Sequence, residues 1–295
     1  MNYNIFIWPT TYQCFYDLAL LIKSTIDDCE GHCTLGDINA DRINILLGAN
    51  ACCRHKIEDE IPDNSVIVNF EQLYDQSFWI TKEYLDLMKN YQLWDYNKSN
   101  QKWLKERLGK EVPLIRLGYA SHQELIDQSV EKDIDVLFYG GKSDRRSYIE
   151  SVLRERLPDK KIVFRYNDLW DLEKLDLISR SKIVLNIHYY CTCLFEYPRV
   201  LQLLSNSKFV ISEYSNDMSE YLFISKGLVC CPYTSLVNKV VYYLEHLDEA
   251  EQIAATGYQI VNKLPTILPE FVDPPVPKGP NDDLNLRREK YYKID

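Results

Sequence analysis

The chain has 295 residues, 46% hydrophobic and 26% charged, with 34 lysines and arginines against 44 aspartates and glutamates. A net charge of −10 favours solubility and argues against general nucleic-acid binding, which needs a concentrated basic surface. The length suits two domains of roughly 100–200 residues, and no run reaches the ~18 apolar residues of a membrane span.

In chain order, Asn4 to Trp8 is a short apolar strand, and Cys14 to Ile26 carries Leu18, Leu21, Ile22 and Ile26 on one helical face. Ile43 to Leu47 and Val66 to Val68 are compact apolar strands, the second running into Asn69, Phe70, Glu71 and Gln72. Residues 77–90 have a helical pattern, Tyr91 to Tyr96 an extended one, and a capped helix follows from Ser99. Pro113 to Tyr119 closes this half.

Glu131, Lys132 and Asp133 mark a charged junction, after which the alternation restarts. Val136 to Tyr139 is a strand, 140–146 a loop, and the next helix places Ile149, Val152, Leu153 and Leu157 on one face. Ile162–Phe164, Ile183–Ile187, Phe209–Ile211 and Leu228–Cys230 are further strands, followed by a helix carrying Val237, Val240, Val241, Leu244 and Leu247. Strands alternating with helices twice over predict an α/β chain of two Rossmann-like domains facing each other across a cleft. Their expected bounds are 1–130 and 131–263. From 264 to 295, Pro265, Pro269, Pro274, Pro275, Pro277 and Pro280 predict an extended Pro-rich tail.

Ligands of such folds gather at the carboxyl ends of parallel strands, where helix N-termini converge. The strand Ile183–Ile187 delivers Asn186 and His188 to that edge, and Glu196 and Arg199 share a face at the next helix start. A carboxylate there can accept bonds from ribose or sugar hydroxyls, and a guanidinium can clamp a diphosphate; the alternative is a plain intrahelical ion pair. Gly140, Gly141, Lys142 and Ser143 resemble half of a phosphate loop, but Val136 stands where the full pattern needs glycine. A glycine pair before a helix still lets backbone amides approach a phosphate, with Lys142, Arg145 or Arg146 supplying charge; a solvated turn is the alternative.

Asp133 and Asp135 form an Asp-x-Asp pair, but at the strand edge away from the ligand crevice. Cys29, His32 and Cys33 cluster as metal ligands do, yet the nearest partner pair, Cys52 and Cys53, is adjacent and awkward for one ion. Nine cysteines, odd in number, with adjacent pairs and no signal peptide in view, point to reduced thiols. Candidate bases in the first half are His55, Glu58, Glu60, Glu71 and Asp95. Glu71 has the best position and His55 the best intrinsic pKa.

Residues 135–153 (DVLFYGGKSDRRSYIESVL), 178–190 (ISRSKIVLNIHYY) and 195–213 (FEYPRVLQLLSNSKFVISE) resemble the donor half of two-domain GT-B glycosyltransferases, of the family-1-like and spore-maturation type found in microbes and large viruses. Residues 66–79, 93–108 and 112–119 resemble the acceptor half. The resemblance implies a nucleotide-sugar-dependent, hexosyltransferase-like enzyme in the cytoplasm, or in the host cytoplasm for a viral chain. Its donor, of UDP- or GDP-sugar type, would be held by the second domain without a metal. Its acceptor would be a glycan, protein or small molecule, with no nucleic acid involved. Relatives often carry a second carboxylate about two turns after the first, where this chain has Leu203 and Leu204. The resemblance then implies that Glu196 holds the ribose alone, that Glu213 contributes, or that donor binding is weakened, with Tyr166 stacking on the base. That departure keeps open a non-catalytic module of the same fold that binds without turnover.

Overall fold

The structure is a computed structural model and describes residues 1–29, 31–54, 61–190 and 192–271. Its first sheet contains β1 (Asn2–Ile7), β2 (His32–Leu35), β3 (Ile43–Leu47), β4 (Ser65–Asn69) and β5 (Gln92–Asp95), in the order β2-β1-β3-β4-β5. Every pairing in it is parallel. The helices of this half are α1 (Tyr12–Asp28), α2 (Lys82–Asn90) and α3 (Lys98–Leu108).

The second sheet contains β6 (Ile134–Gly140), β7 (Ile162–Tyr166), β8 (Ser181–Asn186), β9 (Val210–Glu213) and β10 (Val229–Cys231), in the order β10-β9-β8-β6-β7 and again parallel. Around it lie α4 (Asp144–Arg156), α5 (Asp171–Ser179), α6 (Tyr197–Ser205), α7 (Leu236–Glu245) and α8 (Leu247–Val261). Numbered within its own half, each sheet has the doubly wound order 2-1-3-4-5. The order reverses between β1 and β3 in one half and between β6 and β8 in the other, and crevices open at such reversals.

The central strands are covered by helices on both faces, which is why they read as continuous apolar runs. All five residues of β4 and six of the seven in β6 are buried. One apolar core crosses between the halves, joining Ile5, Ile45 and Val66 to Phe195, Tyr197 and Leu204. Among the described residues no helix is long and apolar enough to cross a membrane.

Some elements differ from the expected ones. The helical pattern from residue 77 gives a helix only from Lys82, because the Thr81 hydroxyl accepts the Tyr84 N–H at 3.3 Å and caps it there. Residues 77–80 stay in the loop that carries Trp79. The helix α3 is capped by Asn97, two residues before the expected start, through its bond from Ser99 N–H at 2.7 Å. The long helix expected through Leu247 breaks at His246 (φ −129°, ψ 56°) and resumes as α8.

Past α8 the chain returns to the first half. Tyr119 N–H donates to the Leu264 carbonyl at 2.8 Å, and Arg116 and Ile267 exchange backbone bonds at 3.0 and 2.8 Å. Gly118 makes this possible, since a Cβ there would sit 2.2 Å from the Leu264 oxygen. The rest of the proline-rich segment, from residue 272, lies outside the described residues.

Candidate active site in the cleft between the sheets

The carboxyl ends of β4, β6 and β8 open on a cleft of about 630 Å³. Of the expected site residues, Glu71, Gly140, Gly141, Glu196 and Arg199 line it together. Gly140 has φ +146°, and a Cβ on it would lie 3.1 Å from Arg199 Nη2, so its missing side chain lets the guanidinium approach the end of β6.

The basic side of the cleft is built on two helix starts. Arg146, in the first turn of α4, is almost wholly buried, with its donors consumed by the two loops it joins. Its Nε and Nη2 donate to the Ile187 carbonyl at 2.9 and 2.6 Å, and its Nη1 donates to the Gly141 carbonyl at 2.9 Å. Nη2 also pairs with Glu196 at 3.1 Å. Burial draws Arg146 down to about 10, with Glu196 opposing that fall, so it stays charged at neutral pH. Arg199, in the first turn of α6, donates to the Tyr139 carbonyl at 3.0 Å and pairs with Glu196 at 3.1 Å. Burial opposes ionisation of Glu196, but Arg199, Arg146 and His188 overcome it and hold this carboxyl below its ordinary value.

The opposite wall carries Glu71. Asn50 Nδ2 donates to its Oε1 at 3.2 Å, and the Tyr190 hydroxyl to its Oε2 at 3.3 Å. Burial pushes the Glu71 carboxyl up to about 7; the Tyr190 bond lowers it and the negative charge of Glu196 raises it further. Tyr190 also accepts from Trp79 Nε1 at 2.9 Å, so an aromatic pair from opposite halves closes over the carboxylate. Arg54 stacks on Trp79 at 4.2 Å beside it.

Other expected residues sit elsewhere. Arg145, next to Arg146 on α4, turns away from the cleft to pair with Glu213 and lies 4.2 Å over the Tyr233 ring. Glu213 also accepts the His188 backbone N–H at 3.1 Å. Tyr166 donates to Glu150 at 2.9 Å on the outer side of α4 and does not line the cleft. Asn186 is buried and donates to Ser212 at 3.0 Å; His188 Nε2 meets the Ser215 hydroxyl at 3.0 Å. His55, with Glu58 and Glu60, lies outside the described residues. Asp133 pairs with Arg180 and Lys161, and Asp135 with Lys182, at the far edge of the sheet. Cys33 is buried and its thiol pushed up to about 11, chiefly by burial. Among the described residues no three His, Cys, Asp and Glu side chains gather as a metal site.

Three cleft residues had no local signal. Asp17 of α1 accepts from Lys174 of α5 at 2.7 Å and from Gln202 of α6 at 2.8 Å. They come from three separate helices, and only their packing brings them together. The loop after β7 adds Trp170 and Asn167, the latter at φ 60°, where Asn is better tolerated than most residues.

The family described as glycosyl transferase-like matches residues 122–267, the stretch that holds the whole second sheet. Among solved structures, sucrose-phosphate synthase from Thermosynechococcus elongatus is 10% identical, with 90% of this chain and 95% of that one aligned at a TM-score of 0.56. HepE from Anabaena, solved with UDP and glucose, is 11% identical over 88% of this chain and 95% of that one, at 0.57. WaaG, a glycosyltransferase involved in lipopolysaccharide biosynthesis, is 10% identical over 90% and 96%, at 0.54. No protein of curated function matches by sequence. Residues 122–267 thus match a glycosyl transferase-like family, and the chain has the two-sheet fold of GT-B glycosyltransferases.

Proposed function

We propose that the protein transfers a sugar, hexose-like in size, from a nucleotide-sugar donor to an acceptor hydroxyl. The observation that carries this is the opposition, across one cleft, of Glu71 raised to about 7 and the Arg146–Glu196–Arg199 cluster. A base poised near neutrality and a pair of fixed guanidiniums are what deprotonation of a hydroxyl and departure of a diphosphate require.

In this reading the second half, from residue 131 to 263, holds the donor, and 1–130 receives the acceptor. The diphosphate lies against Gly140, Gly141 and Arg199, near the N-termini of α4 and α6. Glu196, fixed by both arginines, accepts from ribose or sugar hydroxyls. The acceptor hydroxyl gives its proton to Glu71 while its oxygen bonds to the anomeric carbon, and the carbon–oxygen bond to the diphosphate breaks. Arg199 takes up the charge left on the diphosphate, which supports a reaction without a metal. HepE, with the same fold, was solved with UDP and glucose, which supports a uridine nucleotide as the first donor to try.

A second reading, a binding module without turnover, draws on Leu203 and Leu204. Both are fully buried in the core, so α6 adds no cleft carboxylate to Glu196 at its N-cap. A thermal-shift titration with UDP, GDP, dTDP and CMP and their sugar conjugates, with and without Mg²⁺, tests the donor. A ligand at 100 times its Kd adds about 2.7 kcal/mol of stability. Stabilisation by one nucleotide family, followed by slow hydrolysis of its sugar conjugate, supports the transferase. Binding without hydrolysis or transfer supports the module, and no shift across the panel rejects the donor site.

A further inference from the structure

Glu71 and Glu196 stand on opposite halves of the molecule, and a chain of hydrogen bonds runs from the backbone of Glu71 to that of Phe195, the residue before Glu196. At the first end, Asn69 grips residue 71 twice: its Oδ1 accepts Glu71 N–H at 3.1 Å and its Nδ2 donates to the Glu71 carbonyl at 2.9 Å. Asn100 Nδ2 donates to the same carbonyl at 2.8 Å. Both amides also donate to Asp95, from Asn69 at 2.7 Å and from Asn100 at 3.1 Å. Asp95, fully buried, accepts Asn97 N–H at 2.8 Å as well.

The chain then crosses between the halves. Asn97 Nδ2 donates to Asp217 Oδ2 at 2.7 Å. The other oxygen of Asp217 accepts the backbone N–H of Phe195 at 2.9 Å, one residue before Glu196. Asp217 is 5% exposed, and its two oxygens are thus divided between the two halves. The orientation of Asn97 is not free to change. Its Oδ1 is committed to Ser99 N–H at 2.7 Å and Asn100 N–H at 3.4 Å as the cap of α3, so only its amide nitrogen can face Asp217.

Resting on the sugar-transfer reading, we propose that Asp217 is a positioning residue: it fixes the distance and register between the acceptor-side carboxylate Glu71 and the donor-side carboxylate Glu196. It touches neither substrate. Its action runs through Asn97, Asp95 and Asn69 on one side and the Phe195 amide on the other.

The bond polarity supplies a test. Asp217→Asn keeps the shape but presents an amide nitrogen either to the Phe195 N–H or to the Asn97 amide, so one donor loses its acceptor. Asn97→Asp places two carboxylates face to face. In the double variant, the amide introduced at position 217 donates to the carboxylate introduced at position 97 and accepts from the Phe195 N–H. That new carboxylate still caps α3, so the crossing is remade with its polarity reversed. We expect each single variant to lose about tenfold or more in transfer kcat, with donor KM within about twofold, and to shift turnover from transfer toward donor hydrolysis. The double variant should recover most of the loss and restore slow amide exchange at Phe195. A single Asp217→Asn variant with wild-type transfer kcat overturns the proposal, as does a double variant no better than the singles. If the wild-type protein neither binds a nucleoside diphosphate nor turns over a nucleotide sugar, the sugar-transfer reading itself falls and the proposal with it.

Discussion

The two halves have the same strand order, yet their crevices are built for opposite tasks. At the reversal between β6 and β8, the chain places a glycine pair, two helix N-termini and the guanidiniums of Arg146 and Arg199. At the reversal between β1 and β3 the first strand runs into Trp8 and Pro9 rather than a glycine pair, and Gly48 (φ +74°), after β3, is covered: a Cβ on it would lie 1.9 Å from the Thr11 hydroxyl oxygen. That side offers the cleft α1, aromatic rings and Glu71 rather than an open backbone nest. The same wound sheet therefore yields an anion-receiving wall where backbone and cation are exposed, and a base-bearing wall where they are filled and a carboxylate is desolvated. The topology supplies the crevice, and side-chain volume decides what each wall does.

The largest test of this division is Glu71→Gln, which keeps the shape and the Asn50 and Tyr190 neighbours but cannot take a proton. Transfer kcat should fall by about 10²–10⁴-fold with nucleotide binding unchanged in calorimetry; an active Glu71→Gln would move the base elsewhere on that wall. On the opposite wall, Arg199→Ala should weaken nucleoside diphosphate binding by about 2–3 kcal/mol, the range for a charge-assisted bond in a partly buried site.

The pH profile separates the walls next. Glu71 ionises near 7, so transfer should rise with pH up to that value and level off above it, whereas nucleotide binding should not follow that curve. Stability should run the other way. Burial raises Glu71 and Asp95 each to about 7 from ordinary values of 4.5 and 3.8, so the folded protein binds their protons more tightly than the unfolded chain. Their stabilising contribution is complete below those ordinary values and is lost as pH rises through about 7. Chemical denaturation across that window should show a shallower decline in Glu71→Gln.

Smaller effects sharpen the basic wall. Gly140→Ala must adopt a φ of +146° with its Cβ against Arg199, and should cost about 1–3 kcal/mol in stability, measured by urea unfolding. Arg145→Ala should leave nucleotide affinity within about 1 kcal/mol, because Arg145 is spent on Glu213 and Tyr233 rather than on the cleft.

The legible parts of the fold are those whose burial is complete. Parallel strands such as Ile43–Leu47 and Ile183–Ile187 announce themselves as apolar runs, and their alternation with helices fixes the class. The short edge strand β2 does not, because only Cys33 among its four residues is buried, and its cysteine and histidine suggest metal chemistry instead. In the site, the strand-end rule leads to Gly140, Glu196, Arg199 and Glu71. It cannot separate Arg145 from Arg146, since neighbours on a helix point about 100° apart and only packing shows which faces the cleft. Asn186, His188 and Glu213 satisfy the same rule but are held in a buried polar layer behind the wall. The Asp17–Lys174–Gln202 contact had no sequence signature at all, being assembled from positions far apart in the chain.

The return of residues 264–267 to the first half has a mechanical consequence. The polypeptide crosses between the halves once near residues 119–134 and again just after α8, and the two crossings run side by side, bonded where Tyr119 N–H meets the Leu264 carbonyl. The joint is therefore a doubled strand at one place rather than a single thread. Severing the second crossing, by cutting between Val261 and Leu264, should loosen that joint while leaving each sheet intact.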